Sequence, residues 1–115
     1  MHELPATQGL LEVALDAARK AGAERIEAID LVVGDLTSFV DDSIQFYFDI
    51  MSRDTAAEGA ELRFRREPAE GRCGECGHTF PVKPPVPRLC PECESLALRV
   101  EGGQDFYVDS IEVDE

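Results

Sequence analysis

The chain has 115 residues, 43% of them hydrophobic, with 24 acidic side chains against 11 basic ones and a formal net charge of −13. That length holds one ordinary domain, or one small domain with a metal-stapled appendage. The charge argues against nucleic acid as a partner, because phosphates demand Lys and Arg, and charges break every apolar stretch within a few residues, so no membrane-spanning helix is expected.

The start, Met-His-Glu-Leu-Pro, lacks the basic and long apolar segments of a signal peptide, so a cytoplasmic address is expected. Residues 5–21 predict an amphipathic helix: Leu11, Leu15 and Ala18 share one face, with Leu10, Ala14 and Ala17 beside them. Pro5 suits its first turn and Gly22 its end. Residues 24–33 predict a strand in which Ile29, Leu31 and Val33 alternate with Ala28, Asp30 and Val32. Gly34-Asp35 breaks that pattern. A second helix is predicted over 41–53, with Val40, Ile44, Tyr47, Phe48 and Met51 at helical spacing and Asp41 or Asp42 as its cap. This aromatic stripe reads as core. Gly59 marks a turn, and 60–67 predicts a strand through the alternation of Leu62 and Phe64 with Arg63 and Arg65.

Residues 70–103 read as loop-rich, with Pro81, Pro84, Pro85, Pro87 and Pro91, and end at Gly102-Gly103. A last strand is expected over 105–113, although Phe106 and Val108 are out of phase with Ile111 and Val113, which suggests a bulge or short pairing. Too short to fold alone, this strand should return to the sheet of the N-terminal part. The fold class expected is α/β: a small two-layer domain of about three strands and two helices, carrying an inserted zinc-ribbon-like module.

The chemistry concentrates in that insert. Cys73-Gly-Glu-Cys76 and Cys90-Pro-Glu-Cys93 stand thirteen residues apart. Two such thiolate pairs can wrap one tetrahedral ion, and four sulfurs suit structural zinc. A single iron in a rubredoxin-like centre is the main competitor, and disulfides are disfavoured in a reducing setting. With four protein ligands no position stays open for water, so the site reads as structural. A stretch so poor in apolar residues should depend on its ion for folding. Between residues 70 and 103, five acids (Glu70, Glu75, Glu92, Glu94, Glu101) face four bases (Arg72, Lys83, Arg88, Arg99), so this module carries no basic stripe for DNA. His78, two residues past Cys76, reads as a loop side chain rather than a replacement ligand.

The second candidate site is the N-terminus. The α-amine of Met1 with the amide and imidazole of His2 can chelate one ion, and the Glu3 amide or carboxylate can complete a square, a set that suits Ni(II) or Cu(II). A histidine near a terminus is ordinarily a solvated side chain, so these residues by themselves leave both readings open. No nucleophile–base set or phosphate-binding loop accompanies His2 or His78, and an enzyme is not expected.

Met-His-Glu-Leu at the start, Val33-Gly34-Asp35-Leu36, Phe46-Tyr47-Phe48, Ala57-Glu58-Gly59-Ala60-Glu61-Leu62, the two C-x-x-C turns and Ser110-Ile111-Glu112-Val113 occur in this order. Together they resemble the HypA/HybF family of nickel metallochaperones in hydrogenase maturation, over essentially the whole chain. The resemblance implies nickel as cargo at Met1, His2 and Glu3, and structural zinc at Cys73, Cys76, Cys90 and Cys93. It implies a nickel-binding α/β domain over 1–69 plus 104–115, and a zinc-binding domain over 70–103. It implies delivery with a HypB-type GTPase to the large subunit of [NiFe]-hydrogenase, and for some members service to urease maturation. Pro5 departs from the serine of many relatives and removes one backbone N–H, leaving the three proposed nickel residues untouched. Asp41 reads as a helix cap rather than an additional carboxylate on the metal. The rival function is a zinc-ribbon adaptor that joins proteins without carrying nickel.

Overall fold

The computed structural model describes residues 3–114. The chain divides into two compact units, one made of 1–32, 39–65 and 107–115, the other of 33–38 and 66–106.

In the first unit, helix α1 runs Glu3–Lys20, with an acid in its first turn and Arg19 and Lys20 in its last, as the helix dipole favours. It starts two residues before the predicted boundary. Pro5 still falls in the first turn, where its missing N–H has no intrahelical partner to lose. The helix stops where Gly22 takes φ +70° and the Ala23 N–H reaches back to the Ala18 carbonyl at 3.0 Å, the hydrogen bond of a Schellman end. Its buried stripe is Glu3, Thr7, Leu10, Leu11, Ala14 and Ala18. The apolar part agrees with the sequence pattern, but the stripe continues into two polar residues that hydrophobic periodicity does not register.

Strand β1 (Ile26–Gly34) is central in a three-stranded sheet, between β2 (Glu61–Glu67) and β6 (Phe106–Val113). The Ile26 N–H donates to the Ala56 carbonyl and the Asp35 N–H to that of Glu67, so β1 and β2 run parallel. A parallel connection needs a crossover, and helix α2 (Asp41–Met51) supplies it. The Asp114 N–H donates to the Arg25 carbonyl and the Gly34 N–H to that of Asp105, so β6 runs antiparallel. Simple alternation underestimates the burial of β1: only Glu27 and Asp30 reach solvent. A central strand is enclosed in a way that an edge strand is not. In β6 the burial phase slips at Asp109–Ser110, where the sequence pattern slips.

Helix α1 packs on α2, which buries Ile44 and Phe48. The N-cap of α2 is Val40, with φ −106° and ψ 125°, and no side chain of its own caps it. This corrects the expectation that Asp41 or Asp42 caps the helix: both lie inside its first turn. An acid there is favoured by the dipole without capping geometry.

The second unit contains three short strands where loops were expected: β3 (Ala69–Cys73), β4 (Thr79–Val82) and β5 (Leu98–Gly102). They form an antiparallel sheet in the order β4-β3-β5, with Gly71 opposite Phe80 on one side and Val100 on the other. Gly and Pro hide these strands from propensity. A Cβ at Gly71 would stand 2.6 Å from the Phe80 ring, so only glycine lets that ring lie against the central strand. Pro81 is tolerated because β4 is an edge.

Candidate metal centre

Strand β3 delivers Cys73 to a tight turn. The Cys73 carbonyl accepts from the Gly77 N–H at 3.1 Å, and its N–H donates to the His78 carbonyl at 3.0 Å. The N–H groups of Glu75 and Cys76 both point at the Cys73 sulfur, each at 3.4 Å. The second turn repeats the pattern: the Cys90 carbonyl accepts from Glu94 at 2.8 Å, the Cys90 N–H donates to Ser95 at 2.9 Å, and the Glu92 N–H points at the Cys90 sulfur at 3.4 Å. Residues Gly77 and Glu94 occupy the same place in the two turns, with φ of +74° and +62°. The spacing C-x-x-C followed by a left-handed residue therefore builds two equivalent knuckles, each with backbone N–H groups directed at its first sulfur.

The knuckles face each other. Cys73 Sγ lies 3.6 Å from Cys93 Sγ, and Cys76 Sγ lies 3.6 Å from Cys90 Sγ. All four sulfurs lie within 4.8 Å of one another. These are free thiols, far beyond the S–S bond of about 2.05 Å. A tetrahedral ion with metal–sulfur bonds of about 2.3 Å sets its sulfurs about 3.8 Å apart. The cluster therefore fits one S4-coordinated ion, and its donor set is consistent with zinc. In each knuckle the first cysteine is buried and the second exposed.

Backbone N–H groups, burial and neighbouring sulfurs drive the proton affinities of Cys73, Cys76 and Cys93 apart. Cys73 is lowered to about 6, first by the Cys76 backbone N–H, against burial, and further by the Glu75 N–H and the thiols of Cys93 and Cys76. Cys93 is pushed up to about 12: the Ser95 N–H favours its thiolate, but the Cys73 sulfur, burial, and then Cys76 and Cys90 outweigh it. Cys76 also rises, the His78 N–H being outweighed by burial, Cys73 and Cys90. With their affinities raised, Cys76 and Cys93 ionise readily only around a cation.

Among the described residues, these cysteines are the one group of three or more His, Cys, Asp or Glu side chains able to share an ion. His78 stands outside it, stacked on Phe80 with ring centroids 5.4 Å apart and planes inclined by 15°. Of the residues expected to hold nickel, Met1 and His2 lie outside the described residues. Glu3 is buried, and its Oε2 accepts the Val40 N–H at 3.2 Å. The carboxylate thus serves the N-cap residue of α2, which has no side-chain cap. The Glu3 carbonyl accepts from the Thr7 hydroxyl at 2.5 Å. Sequence reasoning missed this link. Its only trace is that Glu3 and Thr7 continue the i, i+4 stripe of α1 past the last apolar residue.

A family profile described as "Hydrogenase/urease nickel incorporation, metallochaperone, hypA" matches residues 1–113. A "Hydrogenase maturation factor HypA" of Dehalococcoides mccartyi is 45% identical over 115 residues, covering all of this chain and 96% of that protein. The protein of the same description from Geobacter metallireducens is 39% identical over 114 residues, covering 99% of this chain and all of its own length. Among solved structures, one described as the Ni metallochaperone HypA from Helicobacter pylori covers 98% of this chain and 97% of its own, with a TM-score of 0.67 and 22% identity, a likeness of fold.

Proposed function

The chain belongs to the HypA family, the metallochaperones of hydrogenase and urease nickel incorporation, and from that premise we propose that it carries Ni(II) at its N-terminus and a structural Zn(II) in the four-cysteine cluster. The family is one of maturation factors rather than catalysts, and a role in hydrogenase maturation implies hydrogenase-related partners. The match running from residue 1 to residue 113 is the observation that carries the reading.

In this reading the Met1 amine, the His2 amide and imidazole, and the backbone of Glu3 hold the cargo. The Glu3 carboxylate already accepts from Val40, which favours its backbone over its side chain as the fourth donor. The first N–H groups of α1 have no intrahelical acceptors, so their use as ligands costs no helix hydrogen bond. A site with few ligands at a chain end releases its ion readily, as a carrier must. The cysteine cluster has the opposite character. Cys73, Cys76, Cys90 and Cys93 would hold zinc with every position filled, and zinc there supplies a cross-link rather than a reaction. Transfer would proceed with a HypB-type GTPase to the [NiFe]-hydrogenase large subunit, with urease maturation proteins as further recipients, in a cytoplasmic setting that keeps the thiols reduced.

Nickel titration of protein with its native start, alongside zinc analysis, tests this. One nickel should bind to the native protein and none to a form extended before Met1 or to His2→Ala, while all three retain zinc. Equal nickel binding by the extended form would rule out the terminal chelate. Zinc without any nickel site would leave an adaptor, and a red protein with iron in the cluster would replace zinc.

A further inference from the structure

Resting on the carrier reading above, we propose that the outward face of α2 is the docking surface for the protein that exchanges nickel with the N-terminus, and that this partner presents an apolar recess rimmed by Lys and Arg.

The helix is apolar on two opposite sides. Ile44 and Phe48 are buried. Two positions along, on the other side, Phe46 is 60% exposed and Ile50 45%. Four residues apart, Phe46 and Ile50 stand one turn above the other. A surface helix of a small domain needs one apolar stripe, and a second is covered only from outside. The Phe46 ring also meets that of Tyr47 edge-on, with centroids 5.5 Å apart and planes at 71°. An aromatic side chain has only two rotatable angles to fix when it enters a pocket.

Charge selects the occupant. On α2 the exposed Asp42 and Asp49 lie within one turn of the pair, and the helix carries no Lys or Arg; beyond its end the exposed Arg53 and Asp54 offset each other. A second copy would set these acids against their own images, in two molecules of net charge −13 each. The rim that complements this face is basic. Place supports the same partner. Val40 at the head of α2 is tied to Glu3, the third residue of the proposed nickel segment, and the exposed Leu4 and Val40 flank that tie. A protein seated along α2 reaches the helix head to which Glu3 is tied.

The probe is the purified HypB-type GTPase, with affinity read by calorimetry and rates by stopped flow. The double variant Phe46→Gln/Ile50→Gln should bind it at least tenfold more weakly, with zinc content, helicity and nickel binding unchanged. Asp42→Asn/Asp49→Asn should slow association severalfold and flatten its salt dependence. Leu96→Gln, an exposed apolar change in the other unit, should have no effect. Wild-type affinity in the Phe46/Ile50 variant overturns the proposal, as does a variant that instead abolishes self-association in sedimentation velocity. Failure of the native protein to bind the GTPase while it still binds nickel overturns the docking face and leaves the carrier. Absence of nickel binding with Phe46-dependent GTPase binding removes the carrier and keeps the face.

Discussion

At Glu94 the backbone turns left-handed, φ +62°, where the matching place in the first knuckle is Gly77. A side chain there costs about 1 kcal/mol. The strain is accepted because the Glu94 N–H must reach the Cys90 carbonyl for Cys90 and Cys93 to present their sulfurs together. Proton affinities at the same cluster lead to a pH dependence. The Cys73 thiol is held near 6, first by the Cys76 N–H. A lowered value contributes stability above the ordinary thiol value of 9.0, and that contribution is lost as pH falls through about 6. That value belongs to the folded knuckle. Because the module needs its ion to fold, uptake starts from ordinary protonated thiols, so about four protons should be released per zinc at pH 7 and zinc affinity should fall steadily as pH is lowered. Calorimetry in buffers of different ionisation enthalpy counts these protons, and release of only about three at pH 7 would show that the knuckle stays folded and keeps Cys73 ionised without metal. The cysteines themselves are legible in sequence because ligand spacing is local. The pairing of Glu3 with Val40 is not, because 37 positions separate the partners and only the packing of α1 on α2 brings them together.

The two sheets treat charge differently. In the first, Arg63 pairs with Glu112 and lies 3.8 Å from Asp30, and Arg65 lies 4.0 Å from Asp109, so exposed strand residues meet opposite charges. In the second, Arg72 stands directly opposite Arg99 and Glu70 opposite Glu101. Like charges directly across a ladder destabilise it. Exchanging the two on β5, Arg99→Glu with Glu101→Arg, keeps composition and net charge and converts both rows into unlike pairs. The metal-loaded variant should gain on the order of 0.5 kcal/mol, read from the urea midpoint in low salt, and lose most of that gain in high salt. An unchanged midpoint would mean that solvent already screens these rows. The helices were legible because they are long and periodic, and Gly22 marks the end of α1 in sequence and structure alike. Strands β3, β4 and β5 were not. Each has four or five residues, and Gly71 and Pro81 lower the propensity of two of them while serving the packing of Phe80 and an edge position.

At the scale of the whole molecule, the units differ in what holds them. The first rests on Leu10, Ile26, Ile29, Leu31, Ile44 and Phe48, all buried. The buried hydrophobic side chains of the second are Val33, Ala69, Cys73, Val82 and Cys90, and two of these are metal ligands. A unit with so little core needs its cross-link, and structural zinc sites contribute roughly 10 kcal/mol or more to folding. Chelation, or Cys90→Ser, should abolish hydrogen-exchange protection across 69–102 while α1, α2 and β1 keep theirs. Protection surviving in 69–102 without metal would show that the sheet stands on its own contacts. By itself the sequence determined the ligand spacing, the helices and the acidic surface, because each depends on residues close together in the chain. Tertiary structure alone decided that the two knuckles converge to 3.6 Å, that a carboxylate from α1 serves the head of α2, and that Phe46 faces outward while Phe48 faces in. Those outcomes depend on which surfaces meet after the chain has closed on itself, and no local pattern encodes that.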